Sequence, residues 1–526
     1  LMHDPETIYL VLAAAAVGMV VLASRLDVPY PILLLVGGLL MSFVPGMPTV
    51  EIEPDVVLVL LLPPLLYSGA FLTPMREFRA NLRPIGLLSV VVVLLTTAMV
   101  ALVGHYVLGL SWPVAFVLGA VVSPTDPVAF EAVAQRLSAP RRLTSIVQGE
   151  SLINDGMALA IYASAVTAVT VGTVTATDVA SRLLIGIVGG IALGLAVGWL
   201  LNQLRRRVDS APEELAISLL APYAAYIPAE HLGVSGVLAA VAIGFYHGRQ
   251  QHLSTSAATR IRALSFWEML VFLINAGLFI VVGLQLPGIL EGLAGSDERD
   301  LFLAAAMVIA VVIGARVLWV GGFTFFLRRL RSPRPWAQPL PRSYAVVISA
   351  SGMRGSVSLA AALAIPLQVE SGSPFPEREL LIFLAFAVIV VTLVPQGLAL
   401  PKLLERLGLQ GDEVVDQEEA KARHAAARAA SKRLEELRDE DWVEDDLADR
   451  LERLYAFRQQ RFGLRRDGND TSEVDEQVER RRRLRRELLD AERGELNRLR
   501  DSGRVDGDVL RRIERDLDLE DSRLMS

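Results

Sequence analysis

The sequence contains no cysteine, only 6 histidines, and no lysine before Lys402. Without cysteine the chain forms no disulfide, no thiolate metal site and no cysteine nucleophile, and the histidines are too scattered to predict a metal cluster. The net charge of -7 argues against nucleic-acid binding. The first ten residues include Asp4 and Glu6 but neither Lys nor Arg, so we expect no cleavable signal peptide.

Charged residues are also scarce, although only in the first 400 positions. They make up 12% of that part and 49% of the remaining 126 residues, where 28 basic side chains accompany 34 acidic ones. The first part is too apolar for a protein in water, and the second is too charged to lie in lipid. The sequence therefore predicts an all-α polytopic membrane domain at residues 1–404 and a charged cytoplasmic helical domain at residues 405–526.

Thirteen apolar segments are candidates for transmembrane helices, since about 20 apolar residues cross a bilayer. With the N-terminus placed outside, 18 arginines fall in the inner loops and only Arg299 and Arg378 fall in the outer loops. This asymmetry follows the positive-inside rule and predicts a cytoplasmic C-terminus. The segments lie near 7–24, 28–44, 54–72, 84–108, 112–134, 140–168, 178–204, 211–230, 233–248, 261–286, 301–327, 343–367 and 379–401, and the break at Pro228–Gly233 separates the eighth from the ninth.

Charged side chains at bilayer depth are costly and usually serve a function. A receptor, a membrane anchor or a structural protein has no need of so many. Glu150 would most simply be neutralised by Arg354, and Glu268 with Arg316 is a candidate for a second structural pair. The charged residues considered in the predicted membrane segments are Asp126, Glu131, Glu150, Asp155, Glu268, Arg316 and Arg354.

Two of the predicted segments contain sequences that interrupt a helix. In the fifth segment Pro124 and Pro127 remove two backbone donors, and Asp126 lies between them. In the twelfth segment glycines and serines surround Arg354. Interrupted backbone is tolerated in a membrane where it lines a cavity, and a pair of such segments running in opposite directions is typical of secondary transporters. A plain proline kink is the alternative for the fifth segment.

The sixth segment, TSIVQGESLINDGMALAIY, carries candidate ion ligands. Ser151 and Asp155 are four residues apart and share one face of a helix. Their oxygens and that of Asn154 are hard ligands, which suit Na⁺ or Li⁺. Because burial disfavours the charged form, Asp155 should hold a proton near neutral pH, and one carboxylate that takes either a proton or a cation can exchange them. For Asn154, an interhelical hydrogen bond is an equally good interpretation.

Three motifs in this order resemble those of the monovalent cation/proton antiporter family, in its electroneutral branch of bacterial Na⁺/H⁺ antiporters and animal Na⁺/H⁺ exchangers. They are SPTDP at 123–127, GESLIND at 149–155 and SGMRG at 351–355. The resemblance covers the whole membrane domain. It implies thirteen helices, a homodimer, and a core domain that moves against a dimerisation domain. The site that it implies for Na⁺ and H⁺ consists of Asp155, Asp126, Thr125 and Ser151, with a salt bridge between Glu150 and Arg354.

The expected function is secondary active transport, in which Na⁺ or Li⁺ is exchanged for H⁺ across the bacterial inner membrane by alternating access. We expect neither enzyme activity nor a cofactor. The pair Asn154–Asp155 resembles the electroneutral branch, since the electrogenic branch has two aspartates, and it indicates one proton per cation. The alternatives are K⁺/H⁺ or broad monovalent cation exchange, electrogenic exchange through a second acid such as Asp126, and a channel or sensor with this fold. Ser68, on the third segment, stands where many relatives have an acid.

The charged C-terminal domain contains blocks that read as amphipathic helices with many i,i+4 ion pairs. Its aromatic residues predict a modest core, to which Trp442, Tyr455, Phe457 and Phe462 contribute. The basic run Arg480–Arg486 either contacts anionic lipid or forms a solvated face with acidic partners. Regulation of transport through this domain by a cytoplasmic regulator is a hypothesis.

Overall fold

The computed structural model describes most of the chain, and the regular elements in the described part are helices. The all-α architecture predicted from the sequence is confirmed. The chain divides into two compact units, Leu1–Gly411 and Asp412–Ser526. The predicted division after residue 404 lies in the last turn of a helix that ends at Arg406. The described residues are 17–23, 25–26, 28–43, 56–172, 176–208, 210–254, 257–293, 297–329, 340–411, 413–440, 442–467, 469, 471–502 and 504–525.

The first unit is built from apolar helices, each of which satisfies its own backbone hydrogen bonds, as lipid requires. A short π-helix, Val56–Leu61, leads directly into the helix Leu62–Leu72, which is α2. Pro63 and Pro64 lie in the first turn of α2, at its junction with the π-helix, and neither has a backbone N–H group to donate. The helices are α1 (Tyr30–Ser42), α2 (Leu62–Leu72), α3 (Met75–Ala80), α4 (Leu82–Tyr106), α5 (Trp112–Val122), α6 (Val128–Arg136), α7 (Arg141–Val171), α8 (Ala176–Arg205), α9 (Ala211–His231), α10 (Gly236–Ser254), α11 (Ala257–Gly292), α12 (Glu298–Arg329), α13 (Arg342–Ala350), α14 (Ser356–Leu363) and α15 (Arg378–Arg406).

Six helices in the described part of the chain are long and apolar enough to cross a membrane. Shorter apolar helices include α1 and α5. The first predicted segment, 7–24, lies largely outside the described residues, and the count of thirteen stays a prediction. The six long stretches are Leu82–Tyr106, Arg141–Val171, Leu184–Arg205, Thr259–Gln285, Glu298–Gly322 and Arg378–Arg406.

Two helices are interrupted where the sequence predicts it. The fifth predicted segment forms α5 and α6, which are separated by residues 123–127, and the twelfth forms α13 and α14, which are separated by residues 351–355. The predicted break at Pro228–Gly233 also contains the end of a helix, although α9 continues through Pro228 to His231 before it ends. A single proline removes one backbone donor, whereas the prolines at 124 and 127 remove two within one turn.

The second unit consists of charged helices with small buried contacts. In the described part of the tail, α16 and α17 pack against each other, and their buried residues include Ala427, Ala448 and Phe462. Helix α19 packs against α18. Trp442 is exposed, so its predicted place in the core is wrong. The four helices are α16 (Glu413–Leu437), α17 (Asp445–Arg466), α18 (Ser472–Asp501) and α19 (Gly507–Met525).

Candidate ion-binding site

The interruptions of the two broken helices cross each other inside the first unit. The N–H of Asp126 donates to the carbonyl of Met353, with an N–O distance of 2.8 Å. The hydroxyl of Ser358 donates to the carbonyl of Pro124 at 3.4 Å. Extended backbone inside a membrane protein leaves donors and acceptors that no helix satisfies. At the crossing, each segment supplies partners for the other.

The carboxylate of Asp126 lies at the amino ends of two half-helices. Its Oδ1 accepts a hydrogen bond from the N–H of Val128, the first residue of α6, at 2.9 Å. Its Oδ2 accepts from the N–H and the hydroxyl of Ser356, the first residue of α14, at 2.7 and 3.0 Å. The first N–H groups of a helix lack internal partners and carry partial positive charge, so a carboxylate stabilises both helix ends. Both oxygens of Asp126 are therefore engaged.

Two glycines of the SGMRG sequence make this arrangement sterically possible. A Cβ atom at Gly355 would lie 1.8 Å from Oδ2 of Asp126. A Cβ atom at Gly352 would lie 2.3 Å from Cδ of Arg316. Both distances are far shorter than a non-bonded contact permits. A residue without a side chain is required where backbone approaches a charged group this closely.

The guanidinium of Arg354, a residue of the second interruption, lies at the carboxyl end of α5 in the first broken helix. Its Nε donates to the carbonyl of Val122, the last residue of α5, at 3.1 Å, and its Nη1 donates to the carbonyl of Gly352. Carbonyl groups at a helix C-terminus lack internal partners and carry partial negative charge, so a buried cation is favourable there. The guanidinium of Arg354 thus compensates the interrupted backbone.

Glu150 forms its ion pair with Arg316. The two side chains are buried and make two hydrogen bonds, Nη1 to Oε1 at 2.6 Å and Nη2 to Oε2 at 3.3 Å. The Nε of Arg316 also donates to the carbonyl of Ile348 at 2.9 Å. The predicted salt bridge between Glu150 and Arg354 is wrong, because Glu150 is paired with Arg316 and the guanidinium of Arg354 donates to the carbonyls of Val122 and Gly352. The candidate pair of Glu268 with Arg316 is also wrong, since Glu268 is exposed.

The continuous helix α7 brings three of the predicted residues to the crossing. The hydroxyl of Ser151 donates to the carbonyl of Thr125 at 2.7 Å, and the amide nitrogen of Asn154 donates to Oγ1 of Thr125, also at 2.7 Å. Asp155 lies on the same helix, and all four residues are buried. For Asn154 the sequence allowed two interpretations, ion ligation or an interhelical hydrogen bond. This bond to Thr125 is a contact of the second kind. Thr125 therefore ties α7 to the broken helix.

Two buried oxygens at this crossing have no hydrogen-bond partner among the described residues, Oδ1 of Asp155 and Oδ1 of Asn154. Burial of a polar atom without a partner is costly, so such atoms call for a ligand. Asp126 is a second buried carboxyl group of the same crossing, and like charges in one buried site repel each other. A proton or a monovalent cation on Asp155 would relieve both costs, and the arrangement suits either.

Two further polar residues lie on helices that contact α7. Glu131 lies on α6, and its Oε1 accepts a hydrogen bond from Nε2 of Gln148 on α7 at 2.9 Å. Ser68 is buried, and its hydroxyl donates to the carbonyl of Leu65 in its own helix at 2.8 Å. The hydroxyl hydrogen of Ser68 is therefore engaged within its own helix.

Sequence reasoning missed three interactions of this region. Ser356 carried a signal, since serine is a preferred residue where a helix begins and it directly follows the glycine-rich break. Arg316 carried none as the partner of Glu150, from which it is 166 residues distant in the chain. The hydroxyl of Thr392, which accepts from the N–H of Arg354 at 3.1 Å, also carried none, because threonine is ordinary in an apolar helix.

Broken helices that cross beside a buried carboxylate define the class of secondary membrane transporters. The chain belongs to the sodium/hydrogen exchanger family, whose transmembrane model matches residues 11–406. The family resemblance predicted from the three motifs is confirmed. The protein is accordingly a multi-pass membrane cation/proton antiporter and not an enzyme.

Relatives extend over most of the chain. An uncharacterized Na⁺/H⁺ exchanger of Mycobacterium tuberculosis is 38% identical over 525 residues, which cover 98% of this chain and 95% of the relative. A sodium, potassium, lithium and rubidium/H⁺ antiporter of Bacillus pumilus is 29% identical over 80% of this chain and 64% of the relative. The fold matches that of the sodium proton antiporter MjNhaP1 from Methanocaldococcus jannaschii with a TM-score of 0.61, at 19% identity, over 76% of this chain and 99% of that chain.

Proposed function

We propose that this protein exchanges Na⁺ or Li⁺ for H⁺ by alternating access, with one proton moved for each cation. The observation that carries the proposal is the buried Oδ1 of Asp155, which lacks a partner among the described residues, as does Oδ1 of Asn154. A carboxylate in such a place binds a proton or a cation but not both at once. Competition at one carboxylate couples the two fluxes.

The empty, charged form of Asp155 is the state that must not cross the membrane. An uncompensated aspartate at the centre of a membrane helix costs about 2.5–3.5 kcal/mol or more. A proton or a cation removes that cost, so the site changes sides only when it is occupied. This requirement makes the protein an exchanger rather than a uniporter.

The two carboxylates of the site have different roles in this proposal. Asp126 accepts three hydrogen bonds at helix starts, so both of its oxygens are engaged and its carboxyl group is fixed beside the site. Asp155 has a free oxygen and is the group that exchanges. Thr125, Ser151 and Asn154 hold the two helices together and offer oxygen atoms to the ion. A single exchanging carboxylate carries one charge in each direction, so the cycle is electroneutral.

A second candidate is exchange of K⁺, or of several monovalent cations, for H⁺. It is favoured by the Bacillus pumilus relative, whose name includes potassium and rubidium. The same carboxylate would serve both functions, because the size of the cavity and the number of oxygen ligands decide between the alkali cations.

We place the protein in the bacterial inner membrane, with the N-terminus outside and the second unit in the cytoplasm. The arginine asymmetry of the loops supports this orientation. The homodimer is what the resemblance to the antiporter family implies, and a regulatory role for the tail is part of this proposal. The chain has no native cysteine, so a cysteine introduced by Ser502→Cys reports topology directly. It should react with a membrane-impermeant maleimide in inside-out vesicles and not in intact cells.

The transport proposal is tested with purified protein in proteoliposomes that contain an internal pH dye. A Na⁺ gradient is imposed, and proton movement is recorded with and without valinomycin and K⁺ to clamp the voltage. Asp155→Asn removes the exchanging carboxylate and should abolish flux. Glu268→Gln, which changes an exposed acid of the same unit, is the matched control and should keep the flux of the unmodified protein.

Each outcome has a distinct meaning. Flux that is driven by Na⁺, insensitive to the clamp and absent in Asp155→Asn supports electroneutral exchange. Flux that depends on the clamp means more than one proton per cation and contradicts electroneutrality. Flux with K⁺ and none with Na⁺ or Li⁺ means that K⁺ is the transported cation. Cation/proton exchange by the Asp155→Asn variant means that Asp155 is not the exchanging group.

The pH dependence is a separate expectation from competition at Asp155. As the pH rises, fewer sites hold a proton, so the Na⁺ concentration for half-maximal flux should fall. The limit for one competing proton is about ten-fold per pH unit. A half-maximal Na⁺ concentration that does not change with pH would exclude a shared binding group.

A further inference from the structure

The second unit contains a cavity of about 890 Å³ between α16, α17 and α18. One wall consists of the small side chains Ala426, Ala427 and Ala430, which leave space that larger residues would fill. The volume lies in the range of small-molecule sites, roughly 300–1,000 Å³. Ion exchange at Asp155 gives this cavity no role.

The lining of the cavity is basic. Six arginines line it, and none of the described residues that line it is acidic. This bias is local, because acidic residues outnumber basic ones 34 to 28 after residue 400. A concave surface with one sign of charge attracts ligands of the opposite sign. The arginines are Arg423, Arg458, Arg461, Arg481, Arg482 and Arg485.

Three of these six arginines have no ion-pair partner among the residues that the structure describes. Arg458, Arg481 and Arg482 form no ion pair within the described part of the tail. Their donors are free to meet an anion, and guanidinium groups match phosphate oxygens in geometry and charge. The other three are paired with acids that do not line the cavity, as Arg423–Glu419, Arg461–Asp475 and Arg485–Glu520.

Aromatic rings alternate with the arginines in the same lining. The guanidinium of Arg481 lies 5.2 Å from the ring centroid of Phe457. That of Arg458 lies 5.5 Å from the ring centroid of Tyr455. Planar cations and rings held together in this way are surfaces on which a flat aromatic group stacks. The cavity thus combines two kinds of recognition, one for phosphate and one for a ring.

We propose that this cavity binds a phosphorylated ligand with a planar aromatic ring, the chemistry of a nucleotide. The phosphates bond to Arg458, Arg481 and Arg482, and the ring stacks against Phe457 or Tyr455. A lipid surface fits less well, because the rings and arginines line a concave space of nucleotide size instead of a flat face. The inference concerns binding to the tail and stands whichever cation the membrane unit exchanges.

The test is equilibrium dialysis of purified full-length protein with ATP in excess EDTA, and with tripolyphosphate and adenosine as separate probes. A triple variant, Arg458→Gln with Arg481→Gln and Arg482→Gln, removes the free guanidinium groups without breaking an ion pair. Its matched control, Arg453→Gln with Arg483→Gln and Arg486→Gln, removes the same charge from the same two helices outside the cavity. Phe457→Leu tests stacking while it keeps an apolar side chain, so the tail can remain folded.

ATP should bind saturably with a Kd below about 1 mM. The cavity variant should weaken ATP binding by at least about ten-fold and the control by less than about two-fold. Phe457→Leu should weaken ATP binding by about three-fold or more and leave tripolyphosphate binding unchanged.

Four results would overturn the proposal. Absence of saturable ATP binding excludes a nucleotide site. Equal losses in the two triple variants reduce the effect to general surface charge. Tripolyphosphate that binds as tightly as ATP shows that no ring is recognised. Phosphatidylglycerol vesicles that bind the protein through these three arginines, when ATP does not, assign the surface to the membrane.

Discussion

Charged side chains have different surroundings in the two units of this protein. In the first unit the pair Glu150–Arg316 is buried, with an N–O distance of 2.6 Å. In the second unit the pair Arg438–Glu452 is exposed, at 3.0 Å. Burial makes the loss of a partner costly, whereas water and salt weaken an exposed pair. The few charges of the membrane unit therefore have individual roles, and the many charges of the tail act mainly together.

The largest effect should come from breaking the buried pair. Glu150→Gln or Arg316→Gln should each lower the free energy of unfolding by about 3–5 kcal/mol, because each leaves a buried charge without its partner. Thermal unfolding in detergent measures the loss. A double-mutant cycle of Glu150→Gln with Arg316→Gln should show stronger coupling than the same cycle with Arg354→Gln. Equal coupling in the two cycles would contradict the pairing.

A methyl group at the crossing should have the next largest effect. Gly355→Ala places a Cβ atom 1.8 Å from Oδ2 of Asp126, so the carboxylate has to leave the two helix ends. We expect a loss of about 3 kcal/mol in the free energy of unfolding and a lower apparent Na⁺ affinity in proteoliposomes. Gly314→Ala, in a helix where no atom lies within 4 Å of the added Cβ, is the control and should be tolerated.

Removal of one donor to Asp126 should have a smaller effect. Ser356→Ala loses the hydroxyl bond at 3.0 Å and keeps the N–H bond at 2.7 Å. We expect a loss of about 1.5 kcal/mol, as for a hydrogen bond to a charged group. Ser358→Ala, which loses only a 3.4 Å bond to a carbonyl, should cost less in the same unfolding assay. The reverse order would show that Asp126 does not depend on Ser356.

The smallest effect should come from the tail. Arg438→Gln removes exposed contacts to Asp449 and Glu452, and water replaces them. The unfolding temperature of the protein should not change measurably, at low or at high salt. A clear, salt-dependent drop would mean that these pairs form a cooperative network. Individual charges would then contribute to stability in the tail as well as in the membrane unit.

Several features of the site could be predicted from the sequence because they are local. Two prolines three residues apart interrupt a helix whatever its neighbours, and the spacing of Ser151 and Asp155 places them on one helix face. The loop arginines and apolar runs predict a membrane protein by composition alone. The three motifs were sufficient for the family, which the match over residues 11–406 confirms.

Other features could not be predicted, because they depend on contacts between distant parts of the chain. Arg316 and Arg354 are both buried arginines in apolar helices, and either could neutralise Glu150 as far as sequence shows. The exposure of Trp442 and the basic lining of the tail cavity likewise depend on how charged helices pack, for which composition holds no rule.

By itself, the sequence determined that this chain spans a membrane, where two of its helices break, and which carboxylates lie near the breaks, since each depends on residues within a few turns. Only the tertiary structure decided that Arg316 pairs with Glu150, that Arg354 caps a helix end, and that Asp126 is bonded while Asp155 is left with a free oxygen. Those assignments depend on which groups reach one another within a few ångströms, a distance over which burial makes each partner indispensable.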